Sequence, residues 1–406
     1  MKNIFLLLGG NKLNYGIFKK FQEKGFEIYV VDWNTTPDLK GDLHYQIDVK
    51  DSDAILKRLN NDKILTRVKF VYTSIDLAVK SVAEINRAIG LKTISDNGIL
   101  YASSKSQMTM RWNELGLLNR FSKSYKQFEE EIIDLNHRFK LIIKPDNSSS
   151  SRGITICDKN TYVEIIKIAF EKAKNEATDS LVVVEEYVDG IEFTVEMLGD
   201  DYGNVSVYAV SQKTHTKNTD NNKIAIKLHY NSNRILLQKK IAEYGIKCYK
   251  ALGFTNSFGH LEVLLKGNGI ISPVEIGARS SGFIASDLVD IVSGKDYISD
   301  LMAVQNGAII TNGLVEQTNF SSMYFFYDIQ EGNDIVNETN LLNFTDKCIV
   351  SRYSDRLKLK KGTRFTKIND DNSRQGYEIL EGPKSIMTLQ HIIDAEQKML
   401  NQMMGV

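Results

Sequence analysis

Glu262 and Glu275 stand on two short apolar runs joined by Asn268-Gly269, within a stretch that opens at His260 and closes at Arg279. Asn-Gly is a favoured two-residue hairpin loop because both residues tolerate positive φ. With these two at the centre of the turn, Gly267 pairs with Ile270, and counting back sets Glu262 opposite Glu275. Carboxylates facing each other across a sheet repel. A divalent cation removes that repulsion, and one or two carboxylates beside phosphate oxygens are a ligand set that Mg²⁺ takes. His260 and Arg279 share the same parity if the strands run on, so one face would present two carboxylates, an imidazole and a guanidinium. The same pattern also suits an exposed hairpin whose glutamates face water, with Pro273 interrupting the ladder.

The elements before the hairpin decide what it faces. An apolar run at 4–8, the turn Gly9-Gly10-Asn11, a helical stretch to Lys24 and a second run at 27–31 ending at Asp32 read as a βαβ unit. Further strands at 43–49 and 69–73 alternate with helices at 53–59 and 76–89, so the first part of the chain reads as a doubly wound α/β domain. Gly9-Gly10-Asn11 lacks the full G-x-G-x-x-G spacing and reads as a tight turn first and a ligand loop second. After Ser103-Ser104-Lys105 comes an amphipathic stretch to Leu118, then a strand at 140–144, a polar loop at 145–153, a strand at 154–157 and a helix at 162–174. The strand at 181–184 runs into Glu185-Glu186-Tyr187-Val188, and Asp189-Gly190 turns the chain into 192–198. A helix at 235–252 precedes the hairpin. Beyond 310, strands at 323–328 and 347–351, a turn at 360–362 and a helix from 385 make a mixed tail.

A chain of 406 residues is long enough for several cores. Basic and acidic side chains number 51 each, so no global field favours nucleic acid or an anionic membrane, and any anion must be held locally. Cys157, Cys248 and Cys348 are too scattered for a disulfide framework or a zinc site. Five apolar residues before Gly9 are too few for a signal-peptide core, and no later run is long enough to span a membrane, so a cytoplasmic protein is expected.

In this order the pieces resemble the ATP-grasp superfamily, and within it the carboxylate-amine ligases that join an amino acid to an amine. The resemblance covers nearly the whole chain. It rests on Lys105, Ile142-Ile143-Lys144-Pro145, the loop from Asn147 to Gly153, the stretch from Glu185 to Glu192, Gly259-His260-Leu261-Glu262, and the run from Glu275 to Gly282. The fold it implies mixes α/β and α+β parts: an N-terminal doubly wound domain (1–100), a small lobe carrying a lid loop (101–185), a large lobe carrying the metal site (186–310) and a C-terminal α+β subdomain (311–406).

The resemblance also implies roles. ATP would be the cofactor, with Mg²⁺, or Mn²⁺ in its place, on Glu262 and Glu275. Lys105 and Lys144 would meet phosphates, and Ser148, Ser149, Ser150, Ser151, Arg152 and Gly153 would close over them. The Glu185, Glu186, Tyr187 and Val188 stretch would meet adenine through exposed backbone groups, and Glu192 would meet ribose. Arg279, with the amides of Ser281 and Gly282, would clamp the transferred phosphoryl group, and His260 would touch substrate, whereas His215, in a loop read at 213–222, is expected to be exposed and without a role. Two departures stand out: Ser150 replaces the family's glycine in the lid, and Gly277 replaces an Asn that in many relatives is a further metal ligand. The partners implied are a small carboxylate and an amine, with a homodimer expected only by resemblance. The reaction implied is phosphorylation of the carboxylate to an acyl phosphate and attack by the amine, releasing ADP and phosphate. Two alternatives share the fold: an ATP-grasp carboxylase, and a nucleotide sensor without catalysis.

Overall fold

The computed structural model describes residues 2–11, 14–148, 152–216, 224–230, 234–281 and 285–326, and in the C-terminal part 332, 349–351, 362, 364–368, 373–374 and 377–405. The first four strands, β1 (Ile4–Leu8), β2 (Glu27–Asp32), β3 (Leu43–Gln46) and β4 (Val68–Thr73), form a parallel sheet in the order β3-β2-β1-β4. All five residues of β1 are buried, as expected of a parallel strand covered on both faces. Helices α1 (Tyr15–Glu23) and α2 (Ser52–Asn61) connect β1 to β2 and β3 to β4, and α3 (Val79–Ala88) follows β4. The Gly10 amide donates to Asp32 Oδ2 at 2.8 Å, so the chain's own carboxylate closes the glycine turn. The third strand stops at Gln46 rather than 49, and the helix expected from 76 begins as a single 3₁₀ turn, Asp76–Ala78.

Next come α4 (Asp96–Ser103), α5 (Lys105–Glu114), β5 (Ser122–Tyr125), α6 (Glu131–Arg138), β6 (Leu141–Pro145), β7 (Thr155–Cys157), α7 (Val163–Glu176) and β8 (Val182–Glu186). Their strands form an antiparallel sheet, β5-β8-β6-β7. Ile143, Val182, Val184 and Phe170 of α7 pack its core. The amphipathic stretch expected after Lys105 is α5, which ends at Glu114 rather than Leu118 and meets α4 at Ser104, whose hydroxyl caps α5 by accepting from the Gln107 amide. That cap fixes Lys105 at the first position of α5.

The third sheet is the largest, with nine strands among the described residues. Its elements are β9 (Ile191–Gly199), β10 (Val205–His215), β11 (Ala225–Tyr230), α8 (Ile235–Ala251), β12 (Phe258–Leu265), β13 (Ile271–Gly277), α9 (Ala285–Ser293), α10 (Tyr297–Gln305), β14 (Gly313–Leu314), β15 (Phe320–Phe326), β16 (Ile349–Ser351), β17 (Tyr377–Pro383) and α11 (Leu389–Met404). The path is β13-β12-β9-β10-β11-β15-β17-β16, with β14 beside β10. Residues 213–215, expected in a loop, instead end the long strand β10. The helix expected from 385 starts at Leu389. No helix among the described residues is long and apolar enough to cross a membrane.

Candidate active site

Glu262 and Glu275 are register partners across β12 and β13. The turn that sets them there is longer than expected. The Gly269 amide donates to the Lys266 carbonyl and the Lys266 amide to Ile270, with Gly269 at φ +80°, so Gly267, Asn268 and Gly269 form a three-residue loop. The ladder pairs Leu265 with Ile271 and Val263 with Pro273, then slips by one residue before reaching Glu262 and Glu275. The slip is a bulge at Val274, next to the proline that lacks an N–H. It restores the carboxylate pairing and lets Val274 and Glu275 both line the cleft. His260 pairs with Gly277, where β13 ends, so Arg279 lies beyond the ladder rather than on its face.

Strands β9 and β10 supply the rest of this face. Thr194 pairs with both Glu262 and Ser211, and Glu196 with His260. Lys213 reaches between two carboxylates, pairing with Glu192 and standing 2.6 Å from Glu262 Oε1. Burial opposes its charge, yet Glu192 and Glu262 raise its pKa, while Lys213 and His260 hold Glu262 well below the usual carboxylate range against its own burial. Lys105 Nζ lies 3.4 Å from Glu275 Oε2 and 2.7 Å from the Ser148 carbonyl. Each glutamate of the facing pair therefore already has a lysine beside it, which offsets the repulsion expected between them.

The small sheet holds the opposite wall. Glu185 is 2% exposed and accepts from Lys144 Nζ at 2.9 Å and from Arg120 at 3.1 and 3.2 Å. Burial alone would raise its pKa, but Arg120 and Lys144 hold it down to about 2. Arg120 also donates to the Pro273 carbonyl, tying this wall to β13. The amides of Glu186 and Tyr187 donate to the carbonyls of Phe121 (3.0 Å) and Lys140 (2.8 Å). These two N–H groups are therefore not open to an adenine edge, contrary to expectation.

Between the two sheets lies a cleft of about 230 Å³. Lys105, Lys144, Ser148, Arg152, the stretch from Glu185 to Val188, Glu192, Glu262 and Glu275 all line it. So does His215, expected to be inert, whose Nε2 lies 2.9 Å from Glu192 Oε2. Gly153, at φ +72°, is not in the lining. Ser149, Ser150, Ser151 and Gly282 lie outside the described residues. His260, Arg279 and Ser281, expected to be catalytic, are not in the lining. His260 Nδ1 is 2.8 Å from Glu196 Oε1, and its pKa is pushed up to about 9, burial working against Glu196 and Glu262. Arg279 pairs with Asp76 at 2.7 Å, and Ser280 with the Tyr72 hydroxyl at 2.6 Å, so both are tied to β4 and the turn that follows it.

Among the described residues no three His, Cys, Asp or Glu side chains are arranged to hold a metal unaided. The residues nonetheless fit Mg²⁺ bound with a nucleotide. Two facing carboxylates hold lysine ammonium groups where a cation is needed, and the buried Ser148 Oγ and Arg279 Nε have no hydrogen-bond partner. Mg²⁺ commonly takes one or two protein carboxylates and completes its shell with phosphates and water. Sequence reasoning missed Lys213, Arg120, Glu196 and Asp76. The alternation Ser211, Lys213, His215 was the available signal for Lys213, and nothing local marks the other three.

Residues 137–287 match the model of the ATP-grasp domain. Over 221 residues the chain is 23% identical to a D-alanine–D-alanine ligase of Buchnera aphidicola subsp. Schizaphis graminum, a match covering 48% of this chain and 62% of that protein. The match thus spans less than two thirds of that relative's length. The fold is similar to that of an L-amino acid ligase from Bacillus licheniformis, with a TM-score of 0.71 and 14% identity over 99% of this chain and 98% of the other. It is equally similar to the biotin carboxylase domain of the Hydrogenobacter thermophilus 2-oxoglutarate carboxylase, solved with MgADP, with a TM-score of 0.72 and 14% identity over 98% and 89% of the two chains. Together with the cleft between an antiparallel small sheet and a large one, these matches show that the chain carries an ATP-grasp domain at residues 137–287 and shares the fold of those proteins.

Proposed function

We propose that this protein is an ADP-forming carboxylate-amine ligase that activates a small carboxylate, such as that of an amino acid, as an acyl phosphate. The observation that carries the reading is the facing pair Glu262 and Glu275, each beside a lysine, at the mouth of a cleft whose other wall presents Lys144. In-line phosphoryl transfer asks a protein chiefly for positioning and charge neutralisation. Lys105, Lys144 and Lys213 bring ammonium groups to the cleft as point charges for phosphate oxygens. Mg²⁺ held by Glu262 and Glu275 would neutralise charge on the nucleotide. Arg279 offers its buried Nε to an anionic oxygen where a carboxylate would meet the terminal phosphate. The carboxylate oxygen attacks that phosphorus, ADP departs, and the amine then displaces phosphate from the acyl carbon, losing a proton. The matched D-alanine–D-alanine ligase and the L-amino acid ligase of the same fold support the substrate class.

The test is a screen of amino acids, singly and in pairs, for release of ADP and phosphate, with a bicarbonate arm for carboxylase chemistry. Heavy oxygen in the substrate carboxylate is expected to appear once in the released phosphate. Unlabelled phosphate, or AMP and pyrophosphate, overturns the acyl-phosphate route, and turnover with bicarbonate alone favours a carboxylase.

A further inference from the structure

Lys105, which lines the cleft, is held at both ends by one short segment of chain. Its main-chain amide donates to the Asp146 carbonyl at 3.2 Å, and its Nζ donates to the Ser148 carbonyl at 2.7 Å. Asp146 Oδ1 also accepts from the next amide of α5, that of Ser106, at 2.6 Å. The first N–H groups of a helix have no partner within the helix. In α5, Asp146 takes the first two and the Ser104 hydroxyl takes the third, that of Gln107. A carboxylate is favoured there because a helix start carries a partial positive charge.

Asp146 is itself fixed to the small sheet. It follows β6, where Pro145 pairs with Val182, and its own amide donates to the Leu181 carbonyl at 3.0 Å. It is 1% exposed and does not line the cleft, although Pro145 before it and Ser148 after it do. Lys144, the other lysine on this wall, stands two residues earlier on β6. A lysine ammonium rides on a flexible stem, so where its backbone starts and what its tip meets decide where the charge stands. We propose that Asp146 is a positioning residue of the nucleotide site: it fastens the start of α5 to the end of β6, so that Lys105 and Lys144 present their ammonium groups to one phosphate chain from fixed places. Asp146 itself makes no contact with the nucleotide. The proposal rests on the ATP-grasp ligase reading above, in which both lysines meet phosphate.

The test measures binding of ADP with Mg²⁺ to the full chain by titration calorimetry, with adenosine as a second probe that lacks phosphate. Asp146→Ala is expected to weaken ADP binding about tenfold, the order of one hydrogen bond to a charged group, and to leave adenosine binding unchanged. Asp146→Glu keeps the charge, but its longer arm moves the acceptor for the Ser106 amide, so it should show the same loss; it also replaces Asp146→Ala if that variant does not fold. Asp146→Asn keeps an oxygen at the Ser106 amide and should bind ADP much as the parent does. The deciding measurement is a cycle with Lys105→Met. In that background Asp146→Ala should lower the melting temperature as it does in the parent but cost no further ADP affinity, because the group it positions is gone. Equal ADP affinity in the parent and Asp146→Ala overturns the proposal. A loss that persists in the Lys105→Met background, or an equal loss for adenosine, also overturns it by marking a general structural role. A loss in Asp146→Asn as large as in Asp146→Ala would mean that the charge acts and not the position. If the parent itself binds neither ADP nor adenosine, the nucleotide reading fails first and this inference with it.

Discussion

Lys213 Nζ lies 2.6 Å from Glu262 Oε1, on the carboxylate that faces Glu275 across the β12–β13 ladder. In the free protein a lysine thus neutralises the group proposed to hold the metal. Both side chains are largely buried, so removing the cation leaves Glu192 and Glu262 close together with their charge uncompensated.

Lys213→Met is accordingly expected to destabilise the free protein. Loss of one partner from a buried ion pair costs about 3–5 kcal/mol at the upper end, and partial exposure here brings the expectation to about 1–3 kcal/mol. Mn²⁺ added without nucleotide should restore part of the lost melting temperature, since a ligand that binds only the folded state stabilises it. A variant that melts with the parent and ignores Mn²⁺ refutes the pairing.

Glu185 predicts the acid limb of stability. Its folded pKa of about 2 lies below the ordinary 4.5, so its contribution is present above pH 4.5 and is lost as pH falls toward 2. The shift corresponds to about 3 kcal/mol. Glu185→Gln leaves Arg120 and Lys144 buried without their acid, and should be less stable than the parent at pH 7 by roughly that amount. The gap should close toward pH 3 in urea titrations run across the range. A constant gap at every pH contradicts this account.

Lys144→Met tests the small-sheet wall, because the Arg120–Glu185 pair stays in place and limits the structural damage. Affinity for ADP with Mg²⁺ should fall about tenfold, equivalent to 1.4 kcal/mol, by titration calorimetry. Unchanged affinity would remove Lys144 from the phosphate site.

Glu275 and Arg279 should separate metal holding from phosphoryl clamping. Glu275 is 41% exposed and its lysine is 3.4 Å away, so Glu275→Gln should change stability by less than about 1 kcal/mol while turnover collapses. Arg279→Lys keeps the charge but loses the planar fork, and should lower kcat by about 10²-fold with a much smaller effect on nucleotide affinity. Steady-state rates beside thermal melts decide both, and near-normal turnover by Glu275→Gln returns the hairpin to a solvated surface.

The chain's pattern revealed the βαβ start, the hairpin and its facing glutamates because periodicity and turn chemistry are local. The facing of Glu262 and Glu275 was inferred from a two-residue turn that the structure lacks; a longer loop and the bulge at Val274 cancel, and the pairing stands. Strand β10 was less legible. Its polar end, Lys213 to His215, reads as a loop because its partners Glu192 and Glu262 are distant in sequence. Asp76 could not be read at all, since it meets Arg279 across 203 residues of chain.

Val274 and Glu275 are neighbours in sequence that both line one cleft, which a regular pleat does not allow. An apolar wall and a charged group thus depend on a single backbone irregularity. Changes in this hairpin that relax the bulge would alter the width of the cleft and its charge together, whereas β10 can be varied position by position. Redesign of the pocket toward a bulkier or less charged ligand is therefore better begun at His215, which lines it from β10, than at the hairpin, where no single substitution has a single effect.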